Sequence, residues 1–125
     1  MIIKTPENCK HFPVLDKTLI CELLHPERES NLDMGFSIAH AILKSGKSSL
    51  PHYLKSSVEI YYILDENGVM HIENEKQEIN SDQAIYIPPK SVQWIENTGD
   101  SDLKFLSMVY PPWRAEDEEL AKING

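Results

Sequence analysis

Val58-Glu59-Ile60-Tyr61-Tyr62-Ile63-Leu64-Asp65-Glu66-Asn67-Gly68-Val69-Met70-His71-Ile72-Glu73 is the stretch that decides the fold. Its first half is rich in β-branched and aromatic residues, and a strand's period of two places Glu59, Tyr61 and Ile63 on one face and Tyr62 on the other. Asp65-Glu66-Asn67-Gly68 has the composition of a hairpin turn. Beyond it the alternation resumes, with Met70 and Ile72 on the side that looks like core and His71 opposite.

The same signature recurs on both sides of this hairpin, at Thr18–Leu24, Gly35–Leu43, Ala84–Ile87, Val92–Glu96 and Leu103–Tyr110. Turn chemistry separates the runs: Glu73-Asn74-Glu75-Lys76, Pro88-Pro89-Lys90 and Asn97-Thr98-Gly99-Asp100. Short strands at such regular spacing predict an all-β sandwich or barrel rather than a parallel α/β sheet. His25–Asp33, polar and proline-containing, reads as a surface loop. After Pro111-Pro112-Trp113, the tail Arg114–Lys122 is acidic first and basic last, which suits one or two helical turns in a short, solvated segment.

A chain of 125 residues with 41% apolar content fills one core, so residues 1–125 are expected to form a single domain. Its formal charge of −8, from 20 acidic and 12 basic side chains, repels a phosphate backbone and an anionic lipid surface. Nucleic acid and membrane are therefore not expected as partners. The opening Met1-Ile2-Ile3-Lys4 is too short an apolar run for a signal peptide, and a cytoplasmic location is expected. Cys9 and Cys21 lack the close spacing of a redox or zinc motif and are read as reduced.

The spacing Gly46-x5-His52-x-Leu54-x4-Glu59 resembles the first motif of the cupin superfamily, in which a glycine precedes a His-x-His pair and then a glutamate. Leu54 stands at the second histidine, and Glu66 stands at the motif's later glycine, with Gly68 two residues on. The second cupin motif is echoed by Asp82-x5-Pro88-x-Lys90-x2-Gln93-x3-Asn97. There the proline and asparagine are present, while Asp82, Lys90 and Gln93 replace two glycines and a histidine. The resemblance covers about residues 35 to 110 and implies a small monocupin: a double-stranded β-helix, or jelly-roll barrel, with a short irregular or helical C-terminal tail.

Membership of that family implies inward-facing His52, Glu59 and Gln93 at metal-ligand positions. One imidazole, one carboxylate and one amide oxygen supply three donors and leave positions open for water or substrate. Loss of two imidazoles moves preference away from Zn²⁺ or Cu²⁺ toward Mn²⁺ or Fe²⁺, with Ni²⁺ and Zn²⁺ still to be tested, or toward no metal. Glu59 and Tyr61 are the candidate catalytic groups, the carboxylate holding charge and the phenol donating a proton. His40, on the strand before the first motif, is a possible extra donor or else a histidine on an outer face. Trp94 alternates away from Gln93 and is expected outside the barrel, where a homodimer interface would form.

Hydrolase elbows, phosphate loops and His-Glu-x-x-His are absent from the sequence. Three functional readings follow. The first is a pocket protein holding a divalent metal and a small polar ligand, such as a sugar or carboxylate, with a metal-dependent isomerase or lyase as its enzymatic form. The second is a metal-free ligand-binding or sensing module. The third is a metal-independent isomerase or epimerase using His52 and Glu59 as a general base pair.

Overall fold

The computed structural model describes residues 1–122 and is built almost entirely of strands. In chain order these are β1 (Phe12–Pro13), β2 (Leu19–Leu24), β3 (Ser37–Leu43), β4 (His52–Leu54), β5 (Val58–Asp65), β6 (Gly68–Ile72), β7 (Glu75–Ile79), β8 (Ala84–Ile87), β9 (Gln93–Asn97), β10 (Leu103–Tyr110) and β11 (Glu118–Leu120). They form two antiparallel sheets, a six-stranded one in the order β1-β2-β3-β10-β5-β8 and a five-stranded one in the order β11-β4-β9-β6-β7. Each sheet has one face turned to a shared core, which is the arrangement that buries both apolar faces of an alternating sequence.

The inward set is the one that alternation selects. On β5, Glu59, Tyr61 and Ile63 are buried, and on β10, Leu103, Phe105, Ser107 and Val109 are buried. Antiparallel register places Ile63 opposite Phe105 and Tyr61 opposite Ser107. Tyr61, Ile63, Leu103 and Phe105 join Ile20, Leu43, Met70, Ile79, Ile87 and Ile95 in one apolar cluster. Polar inward positions, Glu59, Ser107, His52 and Gln93, gather at one side of it.

Every position where a motif glycine has been replaced keeps the backbone that a glycine would favour. Glu66, Asp82 and Lys90 have φ of 73°, 67° and 69°, in the left-handed region that costs a side-chain-bearing residue about 1–2 kcal/mol. Glu66 offsets part of that cost, because its carboxylate accepts from the Ser101 amide at 3.1 Å and from the Ser101 hydroxyl. Gly68 is held for another reason: a Cβ there would lie 2.2 Å from the Glu96 carbonyl oxygen, so β6 and β9 could not approach.

Two expectations are corrected. The tail is not simply solvated. It takes one 3-10 turn at Ala115–Asp117 and then pairs as β11 with β4, Glu118 standing opposite Leu54. The charge-rich sequence hid this strand, because it pairs through its backbone and buries only Asp117 and part of Glu118. β7 was hidden similarly: Glu75–Ile79 is exposed at all but its last residue and runs as an edge strand beside β6. The second correction concerns Cys9 and Cys21, which are joined as a disulfide rather than free. No helix among the described residues is long and apolar enough to cross a membrane.

Candidate metal centre in the barrel

His52 is the fixed point of the cavity. It opens β4 almost fully buried, and its Nδ1 lies 2.7 Å from the Leu50 carbonyl oxygen. A carbonyl only accepts, so Nδ1 donates to it and Nε2 is the ring nitrogen left to face the cavity. Nε2 faces two carboxylates, Asp16 Oδ2 at 3.4 Å and Glu118 Oε1 at 3.7 Å. One ligand atom from each of Asp16, His52 and Glu118 lies within 4.8 Å of the others, and all three residues are largely buried.

Different elements aim the two carboxylates. Asp16 sits in the tight turn before β2, where its Oδ1 accepts from the Thr18 amide at 3.0 Å and hydroxyl at 2.7 Å. The Leu50 amide donates to the Asp16 carbonyl at 2.7 Å, which ties that turn to the residues leading into His52. Glu118 is placed by its neighbour. Asp117 accepts from the Ser56 amide at 3.0 Å, the Ser56 hydroxyl at 2.5 Å and the Ser57 amide at 3.2 Å. The Ala121 amide donates to Pro51 at 2.9 Å and closes the β4–β11 pair from the other end. Because Leu54 and Glu118 share a rung, the neighbouring strand brings a donor to the rung where β4 itself has none.

Crowding shifts the acids. Burial, then Asp16 and Glu59, push Glu118 up to about 7, against the opposing pull of His52. Burial also raises the Glu59 carboxyl, although His52, Ser107 and Gln93 favour its ionised form. Desolvation and the nearby carboxylates hold the Tyr61 phenol well above its ordinary value, so it remains a proton donor at neutral pH.

Of the residues read from the sequence, Glu59 lines the cavity beside His52, and Gln93 is hydrogen-bonded to it from β9. Gln93 Nε2 donates to Glu59 Oε1 at 2.8 Å, and the Ser107 hydroxyl donates to Oε2 at 2.5 Å. Gln93 stands opposite His52 across β4 and β9, and its Oε1 has no partner. Tyr61 packs on Phe105 with ring centres 4.5 Å apart. The cavity has a volume of about 30 Å³ and is bounded by Asp16, His52, Glu59, Tyr61 and Glu118 together with Glu22. Glu22 Oε1 is a second buried oxygen without a partner. A larger depression of about 690 Å³ opens along the edge strands β7 and β8, lined by Met70, Ile72, Gln77, Ile79, Gln83 and Tyr86.

His40 takes no part in this centre. It lies on the outer face of β3, against His11, because Ser37, Ala39 and Ala41 are the β3 residues that line the cavity. His71 also faces outward, stacked on Trp94 with ring centres 4.2 Å apart and hydrogen-bonded to Glu96 at 2.9 Å. Asp16 and Glu118 are not legible from the sequence as partners of His52. Asp16-Lys17-Thr18 carries a turn signal, and Glu118 lies in what reads as a charged tail.

A donor set of two carboxylates and one imidazole with its second nitrogen pinned to a carbonyl suits a divalent first-row ion, and the unpartnered Gln93 and Glu22 oxygens leave acceptor capacity nearby. Comparison with known proteins gives a context for it. A cupin domain model matches residues 39–109. The chain is 42% identical to an uncharacterised protein of Methanocaldococcus jannaschii, over 95% of this chain and 94% of that one. It is 30% identical to an oxalate-binding protein of Thermotoga maritima, over 67% of this chain and 85% of that protein. The crystal structure of a predicted oxalate decarboxylase from the same organism superposes with a TM-score of 0.76 at 24% identity, covering 88% of this chain and 99% of that one, which is a likeness of fold.

Proposed function

This chain belongs to the cupin family, and we propose that it binds a divalent cation through Asp16, His52 and Glu118 and, with it, a small carboxylate or other compact oxygen-rich ligand. The observation that carries this is the convergence of two carboxylate oxygens, from two separate elements, on His52 Nε2. Oxygen-rich donors favour Mn²⁺ or Fe²⁺ over Zn²⁺ and Cu²⁺. A buried group of carboxylates repels an anionic ligand, so a carboxylate would enter this cavity only with a cation to receive it. The 30% identity to an oxalate-binding protein supports the same ligand class.

When bound, the cation would polarise a carbonyl or enediolate oxygen. The chain's own groups do the rest. Leu50 fixes the tautomer of His52, Asp117 anchors Glu118, and Gln93 and Ser107 orient Glu59. The Tyr61 phenol is the proton donor facing the cavity and Glu59 the carboxyl group beside it that holds charge, which is the equipment of an isomerase or lyase. The set His52, Glu59 and Gln93 is the competing ligand choice, and it shares only His52 with the cluster. A metal-free module is the second reading, favoured by Leu54 and by a Glu118 carboxyl pushed up to about 7, which keeps a proton where an ion would sit.

Elemental analysis of protein purified without chelator, followed by thermal melts with Mn²⁺, Fe²⁺, Ni²⁺ and Zn²⁺, separates these readings. About one equivalent of metal and a raised melting temperature are expected, both lost in His52→Ala and Asp16→Ala and retained in Gln93→Ala. Loss in Gln93→Ala with retention in Asp16→Ala would move the site to the Glu59 side. No metal and no thermal response in the parent protein would leave the metal-free module. A homodimer belongs to the same proposal, with Ile60, Tyr86 and Tyr110 exposed on the outer face of the six-stranded sheet.

A further inference from the structure

Outside the barrel, both cysteines and two of the five histidines of the chain meet in one patch. The sheet order β1-β2-β3 and its register explain why. β1 pairs with β2 through Pro13 opposite Leu19 and Phe12 opposite Ile20, so His11, one step beyond the last pair, comes level with Cys21. Cys21 in turn stands opposite His40 on β3. His11, Cys21 and His40 therefore occupy one row across three adjacent strands, and Cys9 lies two residues before His11.

Side-chain geometry agrees with that row. His11 Nε2 and His40 Nδ1 are 2.9 Å apart, with ring centres 5.1 Å apart and planes at 79°. Cys9 and Cys21 are bonded, with Cα atoms 5.8 Å apart. Cys21 and His40 are buried, whereas Cys9 and His11 are partly open to solvent. Burial, then His11 and Lys104, lower the His40 pKa, which favours the neutral imidazole, the form that ligates metal.

We propose that Cys9, His11, Cys21 and His40 form a second metal site, a Cys2His2 centre for Zn²⁺ or another thiophilic ion, that is available when the Cys9–Cys21 disulfide is reduced. An external dithiol supplies the two electrons. Its own sulfurs become a disulfide as the Cys9–Cys21 bond breaks to give two thiols, and Zn²⁺ then displaces the two thiol protons. Zn–S bonds of about 2.3 Å and Zn–N bonds of about 2.0–2.1 Å set the tetrahedral spacings. The two ring nitrogens would stand about 3.3 Å apart and the two sulfurs about 3.8 Å apart. The nitrogens therefore need to part by only a few tenths of an ångström. The sulfurs separate because their bond has gone, and the short N-terminal segment that carries Cys9 and His11 supplies the play, being attached to the sheet through the two residues of β1. Soft thiolates and imidazoles select Zn²⁺, whereas the carboxylate-rich barrel site selects harder ions, so the two sites differ in the metal they prefer.

Anaerobic titration with Co²⁺ of the reduced and of the disulfide-bonded protein tests this. Reduced protein is expected to take up one equivalent more than the disulfide form, with a thiolate-to-cobalt charge-transfer band in the near ultraviolet and intense tetrahedral bands in the visible, all discharged by Zn²⁺. Cys9→Ser and His11→Ala, both in the partly exposed N-terminal segment, should weaken Zn²⁺ binding at least about a hundredfold while the far-ultraviolet circular dichroism stays that of the parent. Asp16→Ala should leave the charge-transfer band untouched, so failure of the barrel site and failure of this one are separately visible. Equal uptake by both redox forms without a thiolate band, or a band of full intensity in His11→Ala, would overturn the proposal.

Discussion

The inner and outer faces of β2 and β3 carry opposite chemistries within the thickness of one sheet. Inward, Ile20 and Glu22 from β2 and Ser37, Ala39 and Ala41 from β3 line an acidic cavity. Outward, Cys21 and His40 lie beneath the N-terminal segment, with Cys9 and His11 on it. The inner face gathers carboxylates where desolvation is costly, so its groups compete for protons. The outer face gathers a disulfide and two imidazoles, which tolerate burial as neutral groups. A period of two is enough to keep the two donor sets apart, so one sheet carries oxygen donors on one face and sulfur and nitrogen donors on the other.

The largest effect expected is electrostatic and confined to the inner face. Glu118 has a folded-state pKa of about 7 against an ordinary 4.5, so the folded protein holds this proton more tightly than the unfolded chain. Its stabilising contribution is complete below about pH 4.5 and is lost as pH rises through about 7, a change of up to about 3 kcal/mol. Urea melts of metal-free protein between pH 5 and 8 should show this decline, and Glu118→Gln should flatten it. An unchanged profile in Glu118→Gln would mean that the inner carboxylates are not in mutual contact.

Next in size is the response to a cation. At a hundredfold excess over its Kd, Mn²⁺ should stabilise the parent by about 2.7 kcal/mol, and Asp16→Ala and His52→Ala should abolish that gain in thermal melts. If His11→Ala abolished it as well, the two faces would not be independent. Asp117→Ala is expected to cost about 2 kcal/mol, since it leaves the Ser56 and Ser57 amides without an acceptor. It should also weaken Mn²⁺ binding through the displaced Glu118 while the thiolate–cobalt spectrum is unchanged, which calorimetry and absorbance would read separately. The smallest effect belongs to neither face. Lys90→Gly, at φ 69°, should raise stability by about 0.5–1 kcal/mol, the relief of left-handed strain less the entropy of a glycine.

The hairpin from Val58 to Glu73 was legible because alternation and turn chemistry are local properties. Glu59, Tyr61 and Ile63 do share the inner face of β5, and Met70 packs inward while His71 points out. The motif spacing pointed to His52, Glu59 and Gln93, all of them buried, and to the residues that stand where glycines are usual. Glu66, Asp82 and Lys90 show what such a spacing encodes: a backbone that turns left-handed whether or not a glycine is there to make it easy.

Side-chain partnerships did not follow from spacing. Asp16 and Glu118 lie 102 residues apart in sequence, and each looks ordinary in its own segment, one in a turn and one in an acidic tail. Cys9 and Cys21 look unrelated until β1 lies beside β2. The sequence by itself determined which residues face inward, because that depends on neighbours two positions away. Only the tertiary structure decided which inward carboxylates reach His52 and which outward donors reach Cys21, because strand order and register bring together groups that no local pattern connects.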